Sequence, residues 1–250
     1  MSVVRWALGV NLSWRALITF DRRRNEFLDW AEDSLLITQF YENDEGFGIA
    51  INDGQHRLLI DRESLRLRLS SPDAEIDSLA DALTKALHFL EPEDSELVAC
   101  IGVCSSPVSG DYEDMRRALT RRSLGPIPDG VDPYDVAILW DGVINGATVQ
   151  NEFGVVDDEE LVDRITRSKV SRVAQAEGVR TDSVPGDFIA PPVSVLSTTT
   201  WRSFDTPSDL TGEDVLTLAH RAQGDLLQIA ALTTDAVESA VREGDARGKG

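Results

Sequence analysis

Lysine is nearly missing from this chain. It supplies three of the 24 cationic side chains, Lys85, Lys169 and Lys249, and arginine supplies the rest. None of the three follows an acidic residue at a spacing of two, which excludes the Asp…Glu-x-Lys pattern of a common nuclease class. Histidine is equally scarce: His56, His88 and His220 stand apart, with no Cys, Asp or Glu at metal-ligand spacing. The chain contains no Walker loop, dinucleotide fingerprint, G-x-S-x-G or H-E-x-x-H. It also has no apolar run near the roughly 20 residues of a membrane helix. The apolar start is interrupted by Arg5 and Arg15 and lacks a small-residue cleavage site, so a cytoplasmic protein without a signal peptide is expected. The only cysteines are Cys100 and Cys104. On one strand face their α-carbons would lie about 13 Å apart, too far for a disulfide, so two buried free thiols in a reducing compartment are expected.

Acidic residues are abundant: 44, for a formal net charge of −20 over 250 residues. The charge is spread, about −8 over residues 1–125 and −12 over 126–250. Such a field opposes direct binding to nucleic acid or anionic lipid and favours solubility. Mimicry of a nucleic acid remains compatible with it. The clusters Asp111–Asp114 and Asp157–Glu160 each sit where a helix should begin, and capping accounts for them without metal.

The alternation of apolar or small residues at even positions from Val4 to Phe20 predicts a long strand. Seventeen extended residues would overrun a compact domain, so a bend or break is expected between Gly9 and Ser13. After a polar turn with a short helix, residues 46–71 form a three-stranded meander. Asp53-Gly54 is a hairpin signal that pairs Ile51 with His56, Ile49 with Leu58 and Phe47 with Ile60. A second turn, Asp61–Ser64, pairs Ile60 with Leu65, Leu58 with Leu67 and His56 with Leu69. Both turns place the same aliphatic set on one face. A helix over 73–90, capped by Ser71 with Pro72 at its first position, presents Ile76, Leu79, Leu83, Leu87 and Leu90 to that face. Strand 95–105, a helix at 111–122 and a Pro/Gly linker at 123–133 follow. The second half brings a hairpin turning at Asn145-Gly146 or Asp141-Gly142, a helix opened by Asp157, a loop at 174–192, a strand at 193–204 and a long C-terminal helix before a frayed tail. Trp6, Trp14, Trp140 and Trp201 lie in the strands as core residues.

This layout predicts an α+β protein with antiparallel sheets, each covered by helices, in two similar lobes, 1–125 and 126–250. By the same register the face opposite the aliphatic one carries Gly48, Ala50, Arg57, Leu59, Arg66 and Arg68, with Arg57 directly across from Arg68. Like charges facing each other across strands are destabilising, so solvent, nearby carboxylates or an acidic partner must relieve them. Arg57, Arg66 and Arg68 are therefore the candidate binding residues, against the alternative of a solvated or internally paired sheet face.

The segment with Phe47, Asp53-Gly54, Leu58-Leu59, Asp61 and Leu65 resembles part of a sporadically distributed bacterial family of similar length that carries no assigned function. The order around it is similar too: an opening strand, this meander, a helix, further strands and a long C-terminal helix. Family members end the third strand in Asn plus an aromatic, whereas here it reads Arg66-Leu67-Arg68-Leu69. The resemblance implies a fold type and no catalytic residues. With no chemical motif present, the leading expectation is a non-enzymatic interaction protein or accessory subunit with a protein partner, in a homo- or hetero-oligomer, without cofactor or metal. The alternatives are an acidic decoy that mimics nucleic acid and binds a basic protein, and an enzyme with a carboxylate site that spacing does not reveal.

Overall fold

A computed structural model describes residues 3–43, 45–51, 54–124, 136–169, 188–205 and 209–247. Asp53 of the expected hairpin turn, the linker from residue 125 onward and most of the expected loop at 174–192 lie outside the described residues.

The chain runs β1 (Val4–Ser13), α1 (Phe20–Ser34), β2 (Ile37–Glu42), β3 (Gly46–Ile51), β4 (His56–Asp61), β5 (Ser64–Leu69), a 3-10 turn (Ile76–Leu79), α2 (Ala80–Leu90) and β6 (Glu96–Pro107). It continues with α3 (Tyr112–Leu124), β7 (Ala137–Ile144), β8 (Ala147–Asp157), α4 (Asp158–Lys169), β9 (Val193–Ser203) and α5 (Gly212–Arg247). The class is α+β, and all nine strands form one antiparallel sheet in the order β2-β3-β4-β5-β1-β6-β9-β8-β7. A sheet for each half was expected. Instead β6 of the expected first lobe pairs with β9 of the second, Cys100 with Trp201 through Pro107 with Ser194, and the two sets of strands meet edge to edge there. Counted from the β1–β6 junction near the middle of the sheet, β5, β4, β3 and β2 lead away on one side and β9, β8 and β7 on the other.

The meander register is the one the alternation predicts, residue by residue: Ile49 faces Leu58, which faces Leu67, and Ile60 faces Leu65. Because the side-chain period is two, this fixes which face is buried. Leu58, Leu65, Leu69 and Ile49 are fully buried under α1, α2 and α5, together with Leu79, Leu83, Leu90 and Phe27. The second half fills the same layer with Phe153, Val155 and Val195 against Met115 and Leu119 of α3 and Val237 of α5. Helix α4 lies on the opposite face, where Leu161 and Ile165 pack on Ala7, Val103 and Leu196.

The break expected between Gly9 and Ser13 is there: the pairing with β6 shifts between Asn11 and Leu12, and the strand ends at Ser13. Trp14 N–H then donates to the Glu63 carbonyl at 2.9 Å, Ile18 is 98% exposed, and α1 starts at Phe20. Other expectations are corrected. A bulge between Arg5 and Ala7 breaks the alternation earlier as well. It leaves Trp6 with Ala7 in the α4 cluster and sends Arg5 into the core, where its Nη2 donates to the carbonyls of Ser71, Pro72 and Ala74. Those carbonyls belong to a turn, so Ser71 does not cap a helix; α2 begins at Ala80, after the 3-10 turn. Strand β2 was hidden in the sequence. A register shift between Ile37 and Gln39 throws Ile37 and Phe40 out of step, so the period of two is lost. The second hairpin turns at Asn145-Gly146, both at positive φ (46° and 75°), the type I′ geometry for which glycine is suited. Helix α5 reaches Arg247, past the start of the expected frayed tail.

Candidate anion-binding face on the sheet

The arginines of the meander stand on the face turned away from the helices α1, α2 and α5. Arg57 of β4 lies directly across from Arg68 of β5, and Leu59 across from Arg66. Facing α-carbons on antiparallel strands are about 4.5–5.5 Å apart, so neither arginine escapes the other's charge by backbone separation. The flanking positions carry almost nothing: Ala50 sits beside Arg57 on β3, and Gly9 beside Arg68 on β1. A side chain at Gly9 would meet only backbone oxygens, at 3.8 Å and beyond, so there is space beside Arg68. One row along, Tyr41 of β2 covers Gly48 so closely that a Cβ there would come within 1.8 Å of the phenol ring.

Exposure rises steeply through the three arginines. Arg57 is 7% exposed, Arg68 is half-buried, and the Arg66 side chain is 58% exposed. Arg66 has a distant carboxylate, Asp61, at 3.8 Å. Asp61 is already engaged by the Glu63 N–H at 2.8 Å and the Ser64 hydroxyl at 2.6 Å. Among the described residues no carboxylate pairs with Arg57 or Arg68, and Arg57 Nε is buried without an acceptor. Burial first, and then the charge of Arg57, hold Arg68 down to about 10. Among the described residues only Arg66 has a carboxylate within reach. Desolvation disfavours charge, and a like neighbour disfavours it further; both act on Arg68, and no described carboxylate offsets them. Guanidinium groups carry planar arrays of donors and stay protonated at neutral pH. The arrangement can hold an oxyanion.

The other groups singled out in the sequence have local work. Asp111 Oδ1 accepts from the N–H groups of Glu113 and Asp114. Asp157 Oδ1 accepts from the Glu160 N–H at 2.8 Å, so both acidic clusters cap helices. Buried His56 shares a 2.7 Å hydrogen bond with Ser78, and its pKa falls because burial outweighs the backbone contact at Glu75, with Arg5 lowering it further. His220 reaches Asp77 at 2.8 Å. Cys100 and Cys104 are free and buried, both pushed up to about 12 by desolvation, with Arg5 pulling Cys104 slightly the other way. No group of three or more His, Cys, Asp or Glu that could hold a metal ion occurs among the described residues. No described helix is long and apolar enough to cross a membrane.

The sequence read alone missed two contributors to this face. Tyr41 lay in the unrecognised strand β2. Gly9 looked like a bend signal, and its place beside Arg68 follows only from the pairing of β1 with β5. No family model matches the chain, and no curated protein matches it.

Proposed function

We propose that this protein is a non-enzymatic interaction subunit that docks an acidic group of a protein partner on the Arg57, Arg66 and Arg68 face. The observation that carries the reading is the facing pair Arg57–Arg68, largely buried and with no carboxylate against it among the described residues, in a chain of net charge −20. Leaving one buried charge unpaired is strongly unfavourable, and two facing charges are worse. A partner's anion removes the strain on binding, and the surrounding negative field discourages other polyanions. The test is affinity purification from native cells with the wild-type chain and the Arg57→Ser/Arg68→Ser double variant. A stoichiometric partner lost on double substitution, with unchanged circular dichroism, is the expected result. A partner held equally well by the double variant removes the arginine face from the reading, and no partner at all removes the reading.

A further inference from the structure

We infer that the Arg57–Arg68 pair receives a dianionic phosphoryl group carried on a phosphorylated side chain of the docking partner. The inference rests on the docking reading above and specifies its chemistry.

Three features favour phosphoryl over an acidic peptide stretch. The first is charge. Two facing guanidinium groups present +2 in a partly dehydrated setting, and a phosphoryl dianion neutralises both, whereas one carboxylate leaves a charge behind. The second is extent. Along the same row the positive charge stops at once, at Gln39 beyond Ala50 on one side and at Ile101 beyond Gly9 on the other. An extended acidic segment would want a longer cationic strip, and a compact ion does not. The third is donor geometry. Arginine forks bind phosphate oxygens bidentately, and Arg57 Nε is a buried donor with no acceptor among the described residues. The graded exposure from Arg66 through Arg68 to Arg57 gives the group a path, with Arg66 outermost. The alanine and glycine that flank the pair leave lateral room for phosphate oxygens.

The test uses the full-length chain with inorganic phosphate, sulfate and acetate at matched ionic strength, followed by thermal unfolding and calorimetric titration. Phosphate at pH 7.5 is expected to raise Tm and to titrate to one site, and acetate to do neither. Inorganic phosphate loses its second proton at about pH 7, roughly one unit above a phosphorylated side chain, so the phosphate effect should weaken at pH 5.5 while that of sulfate, still dianionic, persists. The sulfate arm separates titration of the ligand from any pH response of the protein itself. Arg68→Gln should lower phosphate affinity about tenfold or more without lowering Tm in the absence of anion, since it relieves like-charge contact. Arg57→Lys keeps the charge and loses the fork, and should also weaken binding.

No phosphate response, an equal response to acetate, or a response untouched by Arg68→Gln would overturn the inference. Phosphatase treatment of the captured partner separates the two readings. Release on dephosphorylation supports the phosphoryl site. Retention that still depends on Arg57 and Arg68 keeps the docking reading and defeats the phosphoryl one.

Discussion

The two halves of the sheet solve the same structural problem with different chemistry on the face away from the long helix. Counted outward from the β1–β6 junction, Arg68 and Arg57 occupy the positions that Thr200 and Gln150 occupy on the other side. In the second half the row ends in a satisfied contact, with Gln150 Nε2 donating to Asp141 Oδ1 at 3.0 Å. In the first half it holds two cations with no carboxylate partner among the described residues. The sheet therefore does not need arginine at these positions, and the facing cations call for an explanation beyond folding. The inner faces differ in the opposite sense. The meander of the first half is apolar at its centre, built on Leu58, Leu65 and Leu67 with Phe47 beside them. The second half buries a polar seam, in which Asn151 Oδ1 accepts from the Ser197 and Thr199 hydroxyls at 2.6 and 2.7 Å and Asn151 Nδ2 reaches Thr233 of α5.

Substitutions that exchange these characters test the contrast. Leu58→Ala empties the centre of the aliphatic layer and should cost about 2–5 kcal/mol, read as a drop in the urea midpoint at unchanged slope; a smaller loss would show that the meander contributes little to the core. Next in size is Asn151→Leu, which strips two buried hydroxyls of their acceptor and should cost about 1–3 kcal/mol. If the seam is purely structural, adding Ser197→Ala and Thr199→Val should recover most of that loss. Arg68→Gln should act in the other direction, raising stability by about 0.2–1 kcal/mol through relief of the facing charges. Gln150→Ala at the matching position should stay within about 0.5 kcal/mol of wild type. A destabilised Arg68→Gln protein would mean that the pair serves the fold and would erase the distinction between the halves.

The alkaline limb sharpens the same comparison. Arg68 is held down to about 10 in the folded chain by burial and by Arg57, so the folded state releases this proton before the unfolded state does. Stability rises with pH wherever the unfolded chain binds more protons. The penalty is fully present below pH 10 and eases above it, and the wild type should gain on Arg68→Gln as pH climbs through that value. Denaturation curves of both proteins at pH 8 and pH 10.5 measure the change; a constant gap would place Arg68 in water. The smallest expected signal is in the thiols. Cys100 and Cys104, pushed up to about 12, should resist alkylation at pH 8 in the folded protein and react fully in denaturant.

The meander was legible because its two turns agree: each places the same leucines and isoleucines inward, and a slip of one residue would have exposed them all. The arginine face came with it, since the same period that buries Leu58 and Leu67 turns Arg57 and Arg68 outward. Strand β2 and the inward turn of Arg5 were not legible, because bulges shift the period by one residue and are set by pairing between strands distant in the chain.

By itself, then, the sequence determined which residues of the meander share a strand face, that the second half holds a hairpin, and which acids open helices, because these depend on neighbours within a few residues. Only the tertiary structure decided that one sheet spans both halves through β6 and β9, and that Arg57 and Arg68 are more buried than Arg66. Burial and counter-charge depend on which distant segments come to lie alongside, and a local pattern does not encode that.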